Sequence, residues 1–126
     1  MVRRLVVVSA AMASLATACG SGNSGMPPSP PVTGSTITIT SSGVSPKNLL
    51  VSPGTQVTFI NSDSRDHEMT SDPHPEHTDC PAINTVDLIV PGQSKQTSNL
   101  NAVRTCGYHD HRSPENAALR GTITIQ

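Results

Sequence analysis

Apolar and polar positions alternate strictly over Thr36-Ile-Thr-Ile-Thr40, and again from Gln56 to Asn61, where Val57 and Phe59 share a face. A period of two marks a strand with one face buried and the other in water. Leu49 to Val51, Asp87 to Val90, Val103 to Tyr108 and Thr122 to Gln126 are shorter runs of the same character, and Gln93 to Leu100 is polar but compatible with a strand. The turns Ser52-Pro-Gly-Thr55 and Pro91-Gly92 punctuate these runs. In each, proline presets φ and glycine accepts a positive one. No stretch sustains a helical period with caps, and Asn116 to Arg120 has room for a single turn. The pattern predicts an all-β domain, an antiparallel Greek-key sandwich or barrel of roughly six to eight short strands.

Asn61 to Asn84 breaks the spacing. It is too polar and proline-broken for a strand, and too long for an idle connection in a small domain. It holds six of the nine acidic residues and three of the five histidines. Long irregular loops on a rigid scaffold often carry function.

The N-terminus reads as targeting sequence. Arg3-Arg4 followed by the short apolar run Leu5 to Ala18 is a signal peptide over residues 1–18, too short to span a bilayer comfortably. Leu15-Ala-Thr-Ala-Cys19 resembles the lipobox of bacterial lipoproteins, which makes Cys19 the lipidation site; Ala16-Thr-Ala18 is equally an ordinary secretory cleavage site. Residues 19–34, almost all Gly, Ser, Pro, Asn and Thr, form a flexible tether. The expected product is exported and held to a membrane by its lipid, facing the periplasm or the cell exterior, or else is soluble and secreted.

What remains, residues 35–126, is one small domain near the low end of self-sufficiency. It has one Phe, one Tyr and no Trp, so its core is aliphatic and a metal or disulfide would staple it. Removing Arg3 and Arg4 from eight basic residues leaves six against nine acidic ones, a net charge of −3. No basic patch points to nucleic acid. No Ser-His-Asp order with supporting motifs points to an enzyme.

Candidate chemistry gathers in Cys106-Gly-Tyr-His109-Asp-His111. The other histidines, His67, His74 and His77, lie in one earlier segment with Met69 and Cys80. A thiol and imidazoles collected in two short patches suit a transition metal, copper first. His109 and His111, two apart in an extended segment, point to one side. His74 and His77 sit in Asp72-Pro-His-Pro-Glu-His-Thr-Asp-Cys80, which reads as a solvated acidic loop, a second weak metal site or a lid.

Three blocks in this order resemble the cupredoxins, the small blue-copper sandwiches. They are Val44 to Asn61 with His67 following, the turn Pro91-Gly92-Gln-Ser94, and Cys106-x-x-His109 before Gly121-Thr-Ile-Thr-Ile125. The resemblance implies a mononuclear copper held by His67, Cys106 and His109, serving electron transfer with a redox partner protein. No methionine follows Met69, so the family's axial methionine has no counterpart and His111 is the candidate fourth ligand. Against Cys106 as a thiolate stands Cys80. In an exported chain these two cysteines pair readily. A Cys80–Cys106 disulfide leaves copper to His67, His109 and His111, with His74 or His77 in reserve, and makes the protein a monomeric carrier or buffer meeting a copper donor or acceptor. A metal-free structural sandwich is the third reading.

Overall fold

The computed structural model describes Gly25 and residues 27–126, so the expected signal peptide and Cys19 lie outside the described residues. Ten strands follow one another there: β1 (Val32–Thr33), β2 (Thr36–Thr40), β3 (Gly43–Ser45), β4 (Asn48–Val51), β5 (Thr58–Asn61), β6 (His67–Ser71), β7 (Asp87–Ile89), β8 (Ser94–Gln96), β9 (Arg104–Asp110) and β10 (Arg120–Ile125). They make two sheets, β1-β4-β10-β9-β6-β7 and β3-β2-β5-β8. Alternation dictates the sandwich. Ile37 and Ile39 of β2, Phe59 of β5, Leu49 and Val51 of β4, and Ile123 and Ile125 of β10 all turn inward and are buried. Burying each such side chain contributes about 1.5–3 kcal/mol. Tyr108 of β9 meets Phe59 edge-on at 5.4 Å between ring centroids, which joins the two sheets. Gly54 sits at φ 90° in the first Pro-Gly turn, the conformation that turn requires of it.

The sheets are mixed, which corrects the antiparallel expectation. β2 pairs with β5, β4 with β10, and β1 with β4 in parallel. Between β2 and β5 the chain crosses to the other sheet as β4 and returns, so β5 arrives running the same way as β2. Alternation reports which face a residue takes and is blind to strand direction. Val32–Thr33, expected in the tether, lies beside Leu49 and Leu50, and the Asn48 side chain donates to the Ser29 carbonyl at 2.7 Å. Asn116 caps one 3-10 turn, Ala117–Leu119, where a single turn was expected.

The segment expected to be irregular throughout contains a strand. β6 pairs with β7 on one side and with β9 on the other, setting Thr70 opposite His109. Its pattern is polar because polar partners meet it inside the protein. The loop of residues 72–86 then divides in two. Its first half lies over β9; in its second half Ile83 and Val86 are buried in the core.

Candidate metal centre

Strand parity decides what β9 can offer. Tyr108 faces Phe59 across the core, so Cys106 and Asp110 share that inward side, and Gly107 and His109 point to the outer face. His109 is nonetheless only 1% exposed, because the first half of the loop covers it. Asp72 makes this possible. Its backbone N–H donates to the Gly107 carbonyl at 3.0 Å, and its carboxylate accepts from His109 Nδ1 at 2.5 Å. The carboxylate occupies the space where a side chain on residue 107 would begin.

Four imidazoles meet at this spot. His74, His77, His109 and His111 each offer a ring nitrogen within 4.8 Å of the others. His77 and His109 stack at 5.1 Å, and the ring of His74 lies 5.5, 5.5 and 5.0 Å from those of His77, His109 and His111. Two of the rings are held in place through their far nitrogens. His109 Nδ1–H donates to Asp72, and His77 Nδ1–H donates to the Ser71 carbonyl at 2.9 Å. In the neutral rings the lone pairs are therefore on Nε2, which in His77 lies beside His111 and in His109 lies 3.4 Å from the Thr70 hydroxyl. His77 is fixed at φ 52°, with its backbone N–H on the Pro73 carbonyl and its own carbonyl accepting from Asn84 Nδ2. His111 Nδ1 lies 3.0 Å from His77 Nε2. That spacing suits two adjacent ligands on one ion with bonds of about 2.0 Å. Backbone or carboxylate acceptors behind the ring are the usual support of a metal-binding histidine.

His67 lies elsewhere. At the end of the sandwich, its Nδ1 pairs with the Asp110 carboxylate at 2.8 Å and its Nε2 with that of Asp63 at 3.0 Å, with all three side chains buried. Both ring nitrogens are therefore engaged by carboxylates, away from the other imidazoles. Burial raises the Asp63 carboxyl, but hydrogen bonds from His67, the Ser64 N–H and Arg65 outweigh it and hold Asp63 below its ordinary 3.8. Asn61 shapes this turn, its amide donating to the Arg65 and Ile89 carbonyls and its Oδ1 accepting from the Asp63 N–H. Burial pushes the Tyr108 phenol up, and its hydroxyl donates to the Lys47 carbonyl at 3.3 Å.

Cys106 is bonded to Cys80. No family model and no curated protein matches the sequence. Solved structures do match. The purple cupredoxin from Nitrosopumilus maritimus is similar over 74% of this chain and 100% of its own, at 19% identity and a TM-score of 0.55. Oxidised plastocyanin from Dryopteris crassirhizoma matches over 72% and 99%, at 16% identity and 0.56. An amicyanin variant in its Cu(I) form matches over 72% and 80%, at 17% identity and 0.55. The fold is cupredoxin-like.

Within this cupredoxin-like fold, the expected set of His67, Cys106, His109 and His111 divides among three places. His109 and His111 come together with His74 and His77; His67 is engaged by two carboxylates; Cys106 is in a disulfide. The physical reason is the odd spacing. Cys106 and His109 are three apart on one strand, so they face opposite sides of the sheet. His74 and His77 were legible as a lid or second site. Asp72 and Gly107 were missed, and their one sequence signal is adjacency to Pro73 and Cys106.

Proposed function

We propose that this chain is an exported copper-binding protein holding one Cu(II) on His74, His77, His109 and His111, and that it works as a carrier or buffer. The observation that carries this reading is the four imidazoles within 4.8 Å of one another, two of them anchored from behind. Imidazole nitrogen suits copper, zinc and nickel, and Cu(II) binds such a set most tightly of the common divalent ions. Rapid electron transfer in a blue-type site uses a thiolate ligand, and the Cys106 sulfur is committed to Cys80 on the inner side of the sheet. Exposed His74 and half-buried His77 and His111 leave the ion within reach of a copper donor or acceptor. A lipid on Cys19 and the tether would hold the domain at a membrane surface, outside the cytoplasm, where a disulfide persists.

Titration calorimetry with Cu(II) on three variants tests the ligand set. His77→Ala and His109→Ala are expected to abolish tight one-to-one binding. His67→Gln is expected to retain it and to lose stability instead. Tight binding that survives His109→Ala and disappears in a folded His67→Gln protein overturns the proposal. Zinc binding tighter than copper would replace the metal and keep the site.

A further inference from the structure

We infer that the Cys80–Cys106 disulfide and the four-histidine site are thermodynamically linked, so that reducing the disulfide loosens the metal and bound metal protects the disulfide. This rests on the histidine-only reading above and names how that site is regulated.

The two cross-links join the same pair of segments. Cys80 lies three residues beyond His77, and Cys106 three residues before His109. The disulfide spans a sequence separation of 26, and an ion on His77 and His109 spans 32 (109 less 77). Each therefore closes almost the same loop. Closing a loop costs chain entropy once, and a cross-link already in place removes most of that cost for the next. With the disulfide open, the segment carrying His74 and His77 loses its covalent hold on β9. Asp72, the Asn84 side chain and the buried Ile83 and Val86 still attach it, so the effect is a weakened site within a folded domain.

The bridge has an approach. Cys106 is fully buried, but Cys80 lines a surface cleft of about 250 Å³ with Pro81, Ala82 and Leu100. The reductant is a dithiol. It gives two electrons and two protons to the Cys80–Cys106 bond, which breaks to two thiols, and itself closes to a disulfide. The freed Cys106 thiol faces the core, on the side of the sheet away from the imidazoles, and does not substitute for a histidine. Linkage is reciprocal, so the factor by which oxidation tightens the metal equals the factor by which the metal favours the oxidised form.

Two measurements test this. In the first, Cu(II) affinity is compared between the oxidised protein and the Cys80→Ser/Cys106→Ser double variant, whose fold is checked by circular dichroism. The variant is expected to bind about 5- to 150-fold more weakly; equal affinity overturns the linkage. An oxidised protein that binds no copper removes the histidine site, and the linkage with it. The second uses Zn(II), which has no redox chemistry of its own, and needs no cysteine variant. The reduced fraction is followed across a graded dithiol buffer with and without zinc, beside His109→Ala as the control for zinc held by the reductant. Zinc is expected to move the wild-type midpoint to more reducing buffer by more than it moves the His109→Ala midpoint. The same shift in both proteins overturns the inference.

Discussion

Gly107 has no side chain, and that absence lets the Asp72 carboxylate reach His109 Nδ1. Gly107→Ala is expected to displace Asp72 and weaken Cu(II) binding about tenfold, the lower end of what such supporting contacts contribute, with Asp72→Asn doing the same; calorimetric titration reads both. One residue along β9 from His109, Asp110 meets His67 on the inner side of the sheet, and His67 and Asp63 form a buried pair. Removing one partner of such a pair is expected to destabilise the fold, which urea unfolding of His67→Gln measures. The same pair sets an acid limit. The Asp63 carboxyl is lower in the folded protein than its ordinary 3.8, so its stabilisation is complete above that value and is lost as pH falls through the folded one. Unfolding free energy is expected to drop as pH falls below the ordinary carboxylate range, with a shallower drop in Asp63→Asn. At this scale the sequence shows the residue types. It hides their sides, because parity on β9 separates Cys106 from His109 only once the strand is known to run unbroken from Arg104 to Asp110.

Strands with apolar alternation were legible: β2, β4, β5 and β10 stand where Ile, Leu, Val and Phe recur at every second place. β6 was not legible, because His67, Thr70 and Ser71 are buried polar residues and a polar strand carries no hydrophobic period. What holds it is pairing with β7 and β9, a tertiary fact absent from local pattern. The loop after β6, expected to be more than a connection, has two halves that do different things. Asp72 to Asp79 brings His74 and His77 to β9, whereas Ile83 and Val86 fill the core. Ile83→Ala is expected to destabilise the domain by about 2–5 kcal/mol, seen as a lowered melting temperature. A change near zero would show the second half to be surface loop.

For the molecule as a whole, the frame and the metal chemistry are separable. The two-sheet sandwich is shared with purple cupredoxin, plastocyanin and amicyanin at 16–19% identity. The blocks that resemble cupredoxins lie within this frame, and the residues expected as ligands lie in three places on it. The end of the sandwich at His67 is closed by carboxylates, and the histidine cluster lies on the outer face of the sheet under a loop pinned by a disulfide. The central claim is a copper site made of imidazole nitrogen without sulfur. Electron paramagnetic resonance and visible absorption of the oxidised protein, taken together after addition of one equivalent of Cu(II), test it most directly. The expected result is a pale solution whose copper signal carries couplings to several nitrogens and disappears in His109→Ala. An intense blue, green or purple thiolate band, lost in Cys106→Ser, would contradict it.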